Sequence, residues 1–389
     1  MKQKVFFIVL LVGLLFFIAC KYNSMGQNGV QDESKVTLTF YSNNDKLGSI
    51  VALDNDEKTL KSNSKIEKDC FVVFKAKIEG ENEIYQWKIN DEVKYFYLHE
   101  IRLNITEDTR IEAVFRDPHV VMLDDISFEL VSITEVNNIE LGYDYIAENR
   151  IHTLSLSPYL ICKTEVTREL YERVMKDDPS ASFTPPNQTE IQGKRPVERV
   201  TWFDAIAFCN ELTCLVDGTN SQCVYEITNI EKGEGEYPNR IISADVKADW
   251  SKRGFRLPTE AEWEVAARSG KNTKWAETDD ESELPEYAWY KLSSKARTHQ
   301  VALLKPNSYG LYDMTGNVWE WCWDLYENIT EDGQDFGKDY KGANSGTDRS
   351  YRGGGFINPK NPCSIGHRAG GFEPKMAVDS LGLRIVRKK

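Results

Sequence analysis

The break in pattern at Asp117-Pro118-His119 constrains this chain more than any other feature. Upstream of it, short β-branched and aromatic runs alternate with polar residues: Val36-Thr37-Leu38-Thr39-Phe40, Phe71-Val72-Val73-Phe74-Lys75-Ala76, Tyr85-Gln86-Trp87-Lys88-Ile89 and Ile111-Glu112-Ala113-Val114-Phe115. Asn, Asp, Gly and Lys separate the runs. A period of two with such turns predicts antiparallel strands with one face buried. Downstream, regular elements are few, and residues 176–195, 271–286 and 326–348 are rich in Asp, Glu, Gly, Asn, Lys and Pro. Loops of that length inside a compact domain carry function or disorder. A chain of 389 residues has room for two or three domains. The boundary therefore separates a small all-β module, 35–117, from a loop-rich mixed domain, 120–389.

Within the second domain the helix starts are written locally. Thr201 with Asp204 opens a helix over Trp202–Leu212, and Thr259 with Glu262 opens one through Trp263 and Ala266-Ala267. In each, a hydroxyl N-cap and an acid at the third position satisfy orphan N–H groups reciprocally. A third helix is expected from near Thr167 through Tyr171 to Met175.

The first residues read as an address. Lys2 and Lys4 precede an apolar run, Val5–Ala19, that stops at Cys20. The run is shorter than the roughly 20 residues a spanning helix needs, and its charged start and small residue before the cut mark an export signal. Phe17-Ile18-Ala19-Cys20 resembles a bacterial lipobox, with Phe17 where Leu is usual. That resemblance implies a signal peptide over 1–19 and a lipidated Cys20 that anchors the chain to a membrane; a plain secretory signal followed by a coincidental Cys is the alternative. Acyl chains on one residue hold stably, at about 0.8 kcal/mol per buried CH₂. Residues 20–34 are polar, with little to bury, and read as a flexible tether. The implied location is extracytoplasmic, on a bacterial cell envelope. Beyond Cys20 seven cysteines remain, an odd number without a C-x-x-C pair. At least one thiol is therefore free or paired between molecules. The formal charge of −13 argues against a nucleic-acid partner.

Two family resemblances follow from longer motifs. Trp87-Lys88-Ile89-Asn90, Leu103-Asn104-Ile105-Thr106 and the run Ile111–Phe115 resemble the internalin-type B-repeat of bacterial surface proteins, which implies a spacer or adhesive role for 35–117. In the second domain the motifs are Cys162-Lys163-Thr164-Glu165-Val166-Thr167, Pro196-Val197 with Val200–Ala205, Arg256-Leu257-Pro258-Thr259-Glu260-Ala261-Glu262-Trp263-Glu264, Gly310–Trp321, Arg352-Gly353-Gly354-Gly355-Phe356 and Gly382-Leu383-Arg384. In this order they resemble the formylglycine-generating enzyme, or sulfatase-modifying factor, family. The resemblance implies an α+β, loop-rich fold built on the C-type-lectin scaffold.

It also implies where chemistry would sit. The family's oxidases hold Cu(I) between two cysteines five residues apart after a Gly-Gly-Ser segment. Here Gly355 replaces the serine, Asn358 occupies the first cysteine position and Cys363 the second. Soft Cu(I) selects thiolates, and an Asn amide is a poor substitute. Cys363 is the catalytic candidate and Cys322, beside Trp321, the only other cysteine that comes into question, with a small inert buried thiol as the plainer reading of Cys363. The family's iron-dependent sulfoxide synthases need a facial triad on a helical domain, which a strand module with one His does not supply. A structural Ca²⁺ is implied at the Asp313 and Glu320 carboxylates and the Gly316 and Val318 carbonyls; the alternative is that both acids are solvated turn residues. Ca²⁺ takes 6–8 oxygens, waters included. The segment Gly354–Arg384 would line the family's substrate groove, offering Phe356, Asn358, Asn361, His367, Arg368, Phe372 and Glu373. No activated nucleophile or acid/base pair is visible among them, which suits ligand binding. The sequence thus supports a lipid-anchored envelope protein that binds an extracytoplasmic glycan or protein without catalysis; the alternative is an active oxidase converting a sulfatase cysteine to formylglycine with copper.

Overall fold

The computed structural model describes residues 33–181, 189–234, 239–276 and 278–389. The export segment, Cys20 and most of the tether lie outside the described residues. The chain divides between Asp117 and Pro118 into two compact units.

The first unit contains only strands among its described residues. One sheet has the order Ser64–Glu67, Lys35–Ser42, Thr109–Arg116, Glu83–Ile89, Glu92–Phe96, and a second the order Thr59–Leu60, Gly48–Leu53, Cys70–Ile78, Glu100–Ile105. Alternation puts Leu38, Val72, Phe74, Trp87, Ile111 and Phe115 into one shared core. Trp87 satisfies its indole N–H on the Leu98 carbonyl at 2.7 Å. One pairing departs from the antiparallel expectation: Lys35–Ser42 runs parallel to Thr109–Arg116, because the two strands meet through the intervening chain and not through a hairpin.

The second unit has more strand than helix among its described residues, with three α-helices, so the helical share is smaller than an α+β label suggests. Its main sheet has the order Val120–Leu123, Ile126–Ile133, Tyr159–Cys162, Val386–Lys388, Phe255–Arg256. Smaller sheets are Val136–Leu141/His152–Leu156/Gln334–Lys338, the hairpin Tyr225–Lys232/Ile241–Ala248, and Arg349–Arg352/Trp319–Leu325/Leu381–Gly382. The helices start where their caps predict: α1 (Arg168–Met175) after Thr167, α2 (Trp202–Asp217) after Thr201, and α3 (Glu260–Arg268) after Thr259. Both capping boxes close, and α2 runs past Leu212 until Gly218 takes the left-handed conformation that ends it.

All nine residues of α3 are buried, although four are Glu or Arg. Their partners explain this. Arg256 makes a two-pronged contact with Glu262 at 2.6 Å on each arm. Arg352 reaches Glu264 at 2.6 Å, Arg268 reaches the same carboxylate at 2.8 Å, and Arg368 donates to both oxygens of Glu260. Burial alone would raise the pKa of Glu260, Glu262 and Glu264, but the guanidinium groups outweigh it and all three are lowered.

Candidate ligand-binding and cation site

The segment Gly310–Trp321 carries the backbone bends that build the site. Asp313, Gly316 and Asn317 all have positive φ (57°, 88° and 59°). Gly316 has no alternative: a Cβ there would sit 2.3 Å from the Trp289 carbonyl oxygen. Asn317, a residue that tolerates this conformation, ties the bend down. Its Nδ2 donates to Glu165 at 2.7 Å, its Oδ1 accepts from the His299 N–H at 3.0 Å, and its carbonyl accepts from the Phe356 N–H at 2.8 Å.

These bends gather three carboxylates, Glu165, Asp313 and Glu320, around one guanidinium, Arg384. Glu320 is fully taken up: Arg384 contacts both its oxygens at 2.8–3.0 Å and the Trp263 indole donates at 2.6 Å. This corrects the expectation that Glu320 is a calcium ligand, since its lone pairs already face strong donors. Asp313 differs. Its Oδ2 accepts from the Ala302 N–H at 2.8 Å, while its buried Oδ1 has no hydrogen-bond partner. Burial raises the Asp313 pKa to about 6, with the Glu320 charge adding to it. Burial, then the Asp313 and Glu320 charges, pushes Glu165 well up too, although Val318 N–H donates to it at 3.0 Å. An orphaned carboxylate oxygen in a cluster with excess negative charge fits a hard cation at Asp313. No group of three His, Cys, Asp or Glu side chains among the described residues forms a metal cage, so other ligands would be carbonyls and water. Glu165 was not anticipated: it stands 148 positions from Asp313, and its only sequence signal is its place in the Cys162–Thr167 motif.

Copper does not fit the residues present. Asn358 Oδ1 accepts from the Gly355 N–H at 3.0 Å and the Trp319 indole N–H at 2.9 Å, so the amide acts as a pin. Cys363 is fully buried, with burial pushing its thiol up to about 12. A Cβ on Gly354 would lie 2.4 Å from the Cys363 sulfur, so the thiol serves as close packing against a glycine turn. Such a thiol is neither a ready thiolate nor paired with a second sulfur.

Of the expected ligand-binding residues, several converge. Asn358 and His367 flank Trp319, the imidazole 5.9 Å from the indole. Phe372 stacks on Tyr351 at 4.9 Å, and Tyr351 meets Trp319 edge-on at 5.0 Å. Burial, with the Arg352 charge, lowers the His367 pKa, which favours a neutral hydrogen-bonding imidazole. Asn361 and Glu373 are exposed, Glu373 paired with Lys375 at 2.7 Å. Two expectations need correction. The Phe356 side chain is turned into the core, and Arg368 is buried against Glu260, so neither is presented to a ligand. Trp319 and Tyr351, both buried, are the backing on which Phe372 and His367 rest, and the sequence does not signal them; the cross-strand pairing that brings them together, Arg349–Arg352 against Trp319–Leu325, joins distant segments.

A family model described as Sulfatase-modifying factor enzyme 1-like domain matches residues 118–389. Chaperone protein LppX of Paenibacillus barcinonensis is 30% identical over 254 residues, covering 61% of this chain and 82% of that protein. The formylglycine-generating enzyme of Thermomonospora curvata is 33% identical over 143 residues, 30% of this chain and 43% of the enzyme. The match thus spans less than half of that enzyme. Among solved structures, Treponema denticola variable protein 1 is 39% identical, with a TM-score of 0.63, covering 69% of this chain and 98% of that one. The motif order, the glycine-turn geometry and the extent of the model match agree: through residues 118–389, this chain belongs to the sulfatase-modifying factor enzyme 1-like family.

Proposed function

We propose that the chain is a lipoprotein of a bacterial cell envelope, anchored in the membrane through Cys20, whose family domain binds a glycan or protein and does not perform the oxidase reaction. One observation carries this reading. Where the copper chemistry needs two thiolates, the side chains are an amide already pinned between Gly355 and Trp319 and a buried, protonated thiol. The half-buried Phe372 and His367, backed by the buried pair Trp319 and Tyr351, with the exposed Asn361 and Glu373 beside them, supply an aromatic face and mixed hydrogen-bonding groups of the kind that recognise sugars or peptide side chains. The first unit acts as a B-repeat-like spacer in the chain between the tether and the family domain. A relative named as a chaperone and a neighbour named as a variable protein are compatible with a non-oxidase role for the fold.

A calcium ion at Asp313, with the Gly316 and Val318 carbonyls, would neutralise the excess charge that Asp313 and Glu165 bury. It stiffens the bend on which Trp319 stands.

Anaerobic titration with Cu(I) and turnover assays on a Cys-x-Pro-x-Arg peptide test the reading together. Weak or absent copper binding with no turnover is expected; one tightly held Cu(I) lost in Cys363→Ser, with oxygen consumption, would establish the oxidase instead. A glycan and peptide array probed with residues 118–389 identifies the ligand class.

A further inference from the structure

Among the described cysteines, two face each other. The Cys214 and Cys223 sulfurs stand 3.5 Å apart, nine positions apart in sequence and both half-buried. Cys214 lies in the last turn of α2, before the Gly218 cap, and Cys223 lies two residues before Tyr225, the first residue of the hairpin strand Tyr225–Lys232. We infer that Cys214 and Cys223 are a disulfide-forming pair that staples the end of α2 to the root of that hairpin.

Other bonds already fix the two backbones. Asn210 on α2 donates to the Tyr225 carbonyl at 2.7 Å and accepts from its N–H at 3.2 Å. The Cys223 N–H donates to the Asn220 carbonyl at 3.0 Å, and the Gln222 carbonyl accepts from Gly254 N–H at 3.0 Å. The gap to be closed runs from 3.5 Å to a bond of about 2.05 Å. Both thiols border a groove lined also by Asn210, Ile230 and Lys252, so an oxidant can reach them.

The oxidant is a protein or small-molecule disulfide. One cysteine thiolate attacks a sulfur of that disulfide and expels a thiolate, giving a mixed disulfide. The second cysteine then attacks the first, releasing the other thiolate. The pair loses two electrons and two protons, and the oxidant gains the electrons as two thiols. Burial, with the neighbouring Cys214 thiol, holds the Cys223 thiol up at about 12, opposite to the depressed thiol a dithiol exchange catalyst needs. The pair is therefore a structural staple. It does not depend on where the chain resides; under the export reading the compartment is oxidising and keeps the bridge closed.

The experiment uses the whole chain, equilibrated with oxidised glutathione, alkylated without reductant, digested and mapped by mass spectrometry. A linked Cys214–Cys223 peptide is expected as the dominant product. Reduction should lower the melting temperature by about 5 °C, in keeping with a short closed loop, and should leave Cys214→Ser/Cys223→Ser unmoved. Recovery of both cysteines as alkylated thiols, or of either linked elsewhere, would overturn the pairing. The mapping needs no variant, so a misfolded double mutant leaves the answer intact.

Discussion

Two buried clusters in residues 118–389 use the same residue types and titrate in opposite directions. Around α3, Glu260, Glu262 and Glu264 face Arg256, Arg268, Arg352 and Arg368, and all three acids are lowered. Around the Asp313 bend, Glu165, Asp313 and Glu320 share Arg384, and both Glu165 and Asp313 are raised. Depth of burial does not separate them. What separates them is the number of guanidinium groups per carboxylate, because desolvation penalises every buried charge and only an opposite charge at hydrogen-bond distance offsets it. The balanced cluster leaves every acid paired; the unbalanced one leaves Asp313 Oδ1 without a hydrogen-bond partner.

The largest effect should come from breaking the balanced cluster. Arg352→Ala leaves Glu264 and Glu260 short of a partner and should cost about 3–5 kcal/mol in chemical denaturation; a loss under 1 kcal/mol would mean the lattice adds little. Next is a carboxylate that belongs to neither cluster. Glu198 accepts from the Ala181 N–H at 2.7 Å, its other oxygen stands 3.8 Å from Arg199, and burial pushes its pKa up to about 8. Its folded pKa lies above its unfolded one, so its stabilising contribution is complete below about pH 4.5 and is lost as pH rises towards 8. Glu198→Gln should remove a pH dependence on the order of a few kcal/mol across that window; an unchanged stability profile would place the proton elsewhere.

The unbalanced cluster predicts smaller shifts. Calcium at a hundredfold excess over its dissociation constant should add about 2.7 kcal/mol of apparent stability, and Asp313→Asn should abolish that gain while changing the calcium-free protein by less than ~1 kcal/mol. A calcium response that survives the substitution would move the ion away from this bend. Smallest is Cys363→Ser, which swaps a buried thiol for a hydroxyl and should cost about 1–2 kcal/mol with array binding unchanged. Lost binding would give the thiol a role beyond packing.

The reach of each interaction decides how much of this could be read from sequence. The capping boxes at Thr201/Asp204 and Thr259/Glu262 span three residues, and both helices begin where those residues say. Trp87 and Phe115 sit at alternating positions and are buried accordingly. By contrast, Arg368 meets Glu260 across 108 positions, and Arg384 meets Glu320 across 64. A single sequence shows Arg368 and Glu320 only as polar residues, and it is the family resemblance alone that places the one in a groove and the other at a cation. That Asn358 is no thiolate is plain from its identity, but its use as a pin for Trp319 depends on a bond across 39 positions. The glycine-bearing bends were visible as motifs, while the carbonyls that crowd them, such as that of Trp289 against Gly316, were not.

The strand Val386–Lys388 lies inside the main sheet, hydrogen-bonded to Tyr159–Cys162 on one side and Phe255–Arg256 on the other. A nascent chain therefore cannot assemble that sheet until residue 388 has cleared whatever machinery delivers it. Before then, Tyr159–Cys162 has one edge unpaired, the kind of edge that templates pairing with another chain.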